Sequence, residues 1–142
     1  MSKIKRGKNI VSVPSSLDYL KEVDEFVETR LKSAGLDENK LADVAISVAE
    51  AVTNAVVHGN KCNLKKRVQV ELKIESPRII IKVQDQGNGF DPQNIGSPLE
   101  GNNVLKEAGR GIFILKSLMD EVDFSFEPEG GTVVRMVKYI KK

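Results

Sequence analysis

A chain of 142 residues, 40% apolar and 30% charged with few aromatics, has the makeup of one soluble domain large enough to bury a core, which excludes a disordered tail or a multidomain machine. Its 22 basic and 20 acidic residues leave a net charge of +2, and a single cysteine, Cys62, with a single histidine, His58, disfavours disulfides, zinc clusters and Cys/His nucleophiles. No uninterrupted apolar run approaches the roughly 18 residues of a membrane span, and the basic start Met1–Lys8 leads into only Ile10–Pro14, so neither secretion nor a membrane is expected and the location is read as cytoplasmic.

Residues 1–9 read as a basic N-terminal arm and 10–142 as one domain, without repeats or linkers. The basic clusters Lys3-Lys5-Arg6-Lys8 and Lys61-Lys65-Lys66-Arg67 lack interleaved aromatics that would stack on bases, and read as solvated surface with no direct nucleic-acid partner. Residues 8–13 suggest a short strand. Ser15 or Ser16 then caps a helix in which Leu17, Leu20, Val23, Val27 and Leu31 recur at helical spacing, and Gly35 stops it. Asp37 caps a second helix running to His58, with Gly59 beyond it. On that helix Asp43, Ser47, Glu50, Asn54 and His58 form one polar stripe opposite Leu41, Val44, Val48, Val52 and Ala55. The helix is expected to be buried nearly all round, so the stripe lines a pocket; a solvated face is the alternative.

Val68, Val70, Leu72 and Ile74 alternate with polar residues as in a half-buried strand, and Glu75-Ser76-Pro77 turns the chain into a deeper strand from Arg78 to Gln84. The stretch Gly87 to Gly109 has no periodicity and reads as a functional loop or lid. A third helix is expected from Gly111 to about Met119, then two strands, about Glu121–Phe126 and Thr132–Ile140, around a glycine turn. The fold class is α+β, a two-layer sandwich with helices on one face of a mostly antiparallel sheet.

Three clusters carry chemistry. Glu50 and Asn54 lie one helical turn apart, a carboxylate beside a neutral amide. That pair suits phosphoryl transfer: Mg²⁺ takes oxygen ligands while keeping waters, which the Asn54 carbonyl could join, and Glu50 could accept the attacking group's proton. Asp85-Gln86-Gly87-Asn88-Gly89 begins where a strand ends; Gly87 and Gly89 admit a flat ligand, and Asp85 can accept from an amino group such as adenine's. A plain glycine turn is the alternative. The spacing does not fit an EF-hand. Gly109-Arg110-Gly111 is placed at a helix start, where free N–H groups and the Arg110 fork would hold phosphate, although the spacing is neither a Walker A loop nor a Rossmann fingerprint.

The order of these clusters, closed by Gly131-Thr132 before the last strand, resembles the ATPase superfamily that includes DNA gyrase, sensor histidine kinases and mismatch-repair ATPases. Within it, Glu50-Ala51-Val52-Thr53-Asn54-Ala55-Val56-Val57-His58-Gly59-Asn60 and Leu118-Met119-Asp120-Glu121-Val122 look like the bacterial anti-sigma-factor serine/threonine kinases, over about residues 10 to 140. The resemblance implies a histidine-kinase-like (Bergerat) sandwich with ATP as substrate. It implies Glu50 as the base, Asn54 as the Mg²⁺ ligand, Asp85, Gly87, Gly89 and Thr132 around the adenine, and Gly109, Arg110 and Gly111 over the phosphates. The implied partners are an anti-sigma-factor antagonist, which is phosphorylated, a sigma factor, which is sequestered, and a second copy in a homodimer. The segment Pro92 to Ala108 is short beside gyrase-type lids, which argues against ATP-gated clamping. Two other functions remain open at this stage: a nucleotide-binding regulator that transfers no phosphate, and a detached domain serving a histidine phosphotransfer partner.

Overall fold

The computed structural model describes residues 4–87, 103–128 and 130–140. Its strands are β1 (Lys5–Arg6), β2 (Ile10–Pro14), β3 (Arg67–Glu75), β4 (Arg78–Gln84), β5 (Glu121–Phe126) and β6 (Thr132–Tyr139); its helices are α1 (Leu20–Leu31), α2 (Glu38–Asn54) and α3 (Asn103–Leu118). The strands form one sheet in the order β1-β2-β3-β4-β6-β5, with every neighbouring pair antiparallel. Two residues of the basic start thus join the sheet, Lys5 opposite Ser12 and Arg6 opposite Val11.

Alternation decides which face is buried. Val68, Val70 and Leu72 of β3 point to the core while Gln69, Glu71 and Lys73 face out. The register sets Val11 and Val83 on either side of Val70, and Leu72 and Met136 on either side of Ile81, a continuous apolar surface. Onto it pack Val23, Phe26, Val27 and Leu31 of α1, Val44, Val48, Ala51 and Val52 of α2, and Leu115 of α3. Each fully buried Val, Leu or Ile contributes about 1.5–3 kcal/mol relative to exposure.

Ser16 caps a 3-10 turn at Leu17–Tyr19 that leads into α1, its hydroxyl accepting from Asp18 N at 3.2 Å. Asp37 caps α2, its Oδ1 accepting from Lys40 N at 2.8 Å. With its continuation, α2 reaches Gly59 and is long and apolar enough to cross a bilayer by length and composition, yet it is a core helix of the sandwich. It is not buried all round: Ala42, Ile46 and Ala49 are exposed, because α1, α3 and the sheet leave one side of α2 uncovered.

Two boundaries differ from the sequence expectation. Beyond Asn54 the helix widens into a π turn, Ala55–Gly59, where Asn60 N donates to Ala55 O and Cys62 N to Val56 O, both at 2.8 Å. Lys61 and Cys62 then take positive φ of 53° and 58° and turn the chain toward β3. The third helix begins at Asn103, eight residues before Gly111, so Gly109-Arg110-Gly111 lies inside it. Helix-forming residues upstream override the glycines, each of which costs only about 1 kcal/mol in a helix interior. The phosphate reading that relied on free N–H groups at a helix start therefore does not hold. Residues 88–102 of the expected lid, Gly89 among them, lie outside the described residues.

Candidate functional site

Asp85 directly follows β4 and is 2% exposed. Its backbone N–H continues the ladder to Thr132 O at 3.0 Å, and its Oδ1 accepts from Thr132 N at 3.0 Å and Gly87 N at 3.1 Å. Burial pushes its pKa above the usual 3.8, and the Thr132 and Gly87 amides and the Lys66 charge oppose that rise without cancelling it. Three glycines allow the close approach here, one against the carboxylate itself and two against the backbone around it. A Cβ on Gly59 would come within 2.2 Å of Asp85 Oδ2, one on Gly131 within 2.4 Å of Asp85 O, and one on Gly87 within 1.7 Å of Gly59 O. Gly131 also has φ +109°, which a residue with a side chain rarely adopts. Beside the carboxylate, the buried Thr132 Oγ1 has no hydrogen-bond partner among the described residues. A buried hydroxyl without a partner costs about 1–3 kcal/mol, a penalty that a polar ligand or water seated there would relieve.

Glu50 and Asn54 stand on the outer turns of α2, at the edge of a cavity of about 300 Å³ also lined by Thr53, Val57, His58, Arg110, Gly111 and Ile114. Asn54 is buried and Glu50 half-buried. The Asn54 amide packs on α3 at Gly111, where an added Cβ would lie 2.7 Å from Nδ2. Glycine there lets the two helices approach and leaves the amide its place. The π turn connects the two halves of the site, since His58 lines the cavity and the adjoining Gly59 touches Asp85.

Of the residues singled out from sequence, Glu50, Asn54, Arg110 and Gly111 meet around the cavity, and Asp85, Gly87 and Thr132 meet at the sheet end. Gly109 is buried within α3. The polar stripe of α2 divides. Asp43 Oδ2 pairs with the largely buried Lys138 Nζ at 3.1 Å, the same ammonium donating to Leu118 O. Ser47 is fully buried, its Oγ without a partner among the described residues. Sequence reasoning placed Gly59, Asn60 and Gly131 within the motifs but gave them no role in the site. The adjacency of Gly59-Asn60 to the Glu50–His58 segment was the available signal, but their contacts to Asp85 and Gln86 span 26 positions, which no local pattern displays. Among the described residues no group of His, Cys, Asp or Glu could hold a metal by itself.

A family model described as the histidine kinase-like ATPase domain matches residues 13–138. Serine-protein kinase RsbW of Staphylococcus epidermidis is 36% identical over 137 residues, 92% of this chain and 85% of the relative, and RsbW of Staphylococcus aureus is 35% identical with the same coverage. Among solved structures, one of the RsbU and RsbW domains of a Mycobacterium tuberculosis protein aligns with a TM-score of 0.65 at 17% identity, over 92% of this chain and 31% of that longer one. The catalytic domain of histidine kinase ThkA aligns with a TM-score of 0.58 at 11% identity, over 94% and 99% of the two chains. At such identities these two structures establish the shared fold.

Proposed function

Because the chain belongs to the histidine kinase-like ATPase domain family, and serine-protein kinases 34–36% identical to it cover 92% of its length, we propose that it is an ATP-dependent protein serine/threonine kinase acting as an anti-sigma factor. Its substrate is an anti-sigma-factor antagonist and its second partner a sigma factor, in the cytoplasm, with the chain itself a homodimer. The observation that carries this reading is the juxtaposition of Glu50, Asn54 and Arg110 on one cavity, which the π turn joins along the chain, from His58 to Gly59, to a buried carboxylate.

The residues fit an adenine nucleotide. Asp85 accepts a hydrogen bond from the exocyclic amine of adenine, the unpartnered Thr132 Oγ1 supplies a further polar contact, and Gly87 lets the turn after Asp85 pack against the Gly59 backbone. Arg110, flanked by Gly109 and Gly111, answers the phosphate charge. Mg²⁺ fits as a companion of the nucleotide: it would be held by the Asn54 side-chain oxygen together with phosphate oxygens and water, and would neutralise charge on the phosphates. Glu50 takes the proton from the acceptor's Ser or Thr hydroxyl as its oxygen attacks the terminal phosphorus, whose bond to the bridging oxygen breaks to release ADP.

Transfer places a charge of about −1.5 to −2 on the antagonist, which weakens its docking by repulsion and desolvation and leaves the kinase available to the sigma factor. Incubation with Mg-ATP and a candidate antagonist tests this directly. Acid-stable phosphoserine or phosphothreonine is the expected product. Its absence, an acid-labile phosphate, or undiminished transfer by Glu50→Gln would refute the assignment.

A further inference from the structure

Asn60 follows the π turn and is 2% exposed, yet the roles above make no use of it. Both ends of its amide are engaged. Nδ2 donates to Ser15 Oγ at 2.6 Å and to Arg67 O at 3.0 Å, and Oδ1 accepts from Gln86 N at 2.8 Å. The partners are themselves tied: Ser15 Oγ donates to Lys66 O at 2.9 Å, and Arg67 N donates to Gln86 Oε1 at 2.7 Å. One side chain thus joins the end of the long helix, the end of β2, the start of β3 and the turn after β4.

The bond to Gln86 N is the consequential one, because that N–H belongs to the peptide unit that leaves Asp85. The carbonyl of the same unit lies against Gly131, where a Cβ would come within 2.4 Å of Asp85 O. The unit is therefore held from both sides, Asn60 on its N–H and the Gly131 backbone beside its oxygen. Its orientation sets the backbone from which the Asp85 carboxylate projects toward Thr132 N and Gly87 N.

We propose that Asn60 is a positioning residue for nucleobase selection. It acts through the Asp85–Gln86 peptide and keeps the carboxylate where it accepts from an exocyclic amine and repels a carbonyl oxygen at the same place on the base. Adenine presents the amine there and guanine the carbonyl. This inference rests on the adenine-reading role given to Asp85.

Calorimetry with ADP and with GDP, each with Mg²⁺, tests it on the wild type, Asp85→Asn, Asn60→Ala, Asn60→Asp and Ser15→Ala. The wild type binds ADP preferentially. Asn60→Ala loses about tenfold of that preference, since an interaction of this kind is worth roughly one hydrogen bond. Asn60→Asp keeps an acceptor for Gln86 N and stays within about threefold of the wild-type ratio. Ser15→Ala removes an acceptor of Nδ2 but leaves the Gln86 bond, so its melting temperature falls while the ratio holds. An unchanged ratio in Asn60→Ala overturns the proposal, as does an equal loss in Ser15→Ala, which marks plain destabilisation. If Asn60→Ala does not fold, loss of the ratio in Asn60→Asp overturns it and retention supports it. Hydrogen exchange on the wild type gives a test free of variants: the Gln86 amide exchanges slowly, and rapid exchange overturns the proposal. A wild type without preference for ADP, or an Asp85→Asn that keeps it, refutes the Asp85 role itself; selection that depends on Asp85 but not on Asn60 refutes only the positioning.

Discussion

Replacing Gly111 by alanine separates nucleotide binding from folding. The new Cβ would sit 2.7 Å from Asn54 Nδ2 and 3.1 Å from Oδ1, closer than packed atoms tolerate, and the nearest yielding element is the end of that side chain. Within α3 the alanine gains about 0.8–1 kcal/mol of helix propensity over glycine. Driving the Asn54 amide off its rotamer costs about 0.5–1.5 kcal/mol. The two nearly cancel, so the melting temperature shifts by no more than about 2–3 °C in a domain of this size. Affinity behaves differently if Asn54 has the role proposed for it, because an amide turned aside would no longer offer its oxygen to Mg²⁺. Loss of a contact to a charged group is worth about 1.5–3 kcal/mol, or roughly 10- to 100-fold in dissociation constant. Calorimetry with Mg-ADP, alongside circular-dichroism melts, reads both quantities. Asn54→Ala gives the same loss, and the double variant loses no more than either single one. Affinity within threefold of the wild type in Gly111→Ala would refute the coupling between these residues and the nucleotide.

Glu50→Gln lowers the phosphorylation rate by about 10²- to 10⁴-fold while Mg-ADP affinity stays near the wild-type value, measured by phosphate transfer and calorimetry on one preparation. Asp85 gives a pH signature: its folded pKa lies above 3.8, so the native state holds more protons than the unfolded one between 3.8 and that raised value. Stability therefore falls as pH climbs through this window and levels off above it, and Asp85→Asn removes that slope; urea midpoints of the two proteins that run parallel across the window would contradict it. Lys138→Met leaves Asp43 and the Leu118 carbonyl without their donor, and with Asp43 one-third exposed the cost is about 2 kcal/mol, a melting-temperature drop of about 6–8 °C.

Much of the sandwich was legible because its strands are half-buried. Arg67–Glu75 alternates so regularly that its face and its hairpin partner could be read directly, and Asp37 and Ser16 cap where their side chains allow. The candidate site was legible as an order of motifs. Glu50, Asn54, Asp85 and Thr132 each stand at a position whose backbone context the pattern supplied. The π turn was not, since Ala-Val-Val-His-Gly is compatible with an ordinary helix and only the carbonyls found by Asn60 and Cys62 widen it. The start of α3 was misjudged because glycine was read as punctuation, whereas Gly111 is inside the helix to accommodate Asn54. Exposed Ile46 shows the limit of inferring burial from apolarity on a helix with one side uncovered among the described residues.

The widened turn at Ala55–Gly59 acts as a phase shifter within a continuous rod of backbone. A regular α-helix advances about 100° per residue, so removing a single residue there would rotate everything downstream by that angle relative to Glu50 and Asn54. Gly59 would swing off the carboxylate it borders, and Asn60 would no longer reach the turn after β4. Grafting this segment onto another scaffold, or exchanging it between relatives, must therefore preserve residue count between Asn54 and Asn60 ahead of residue identity.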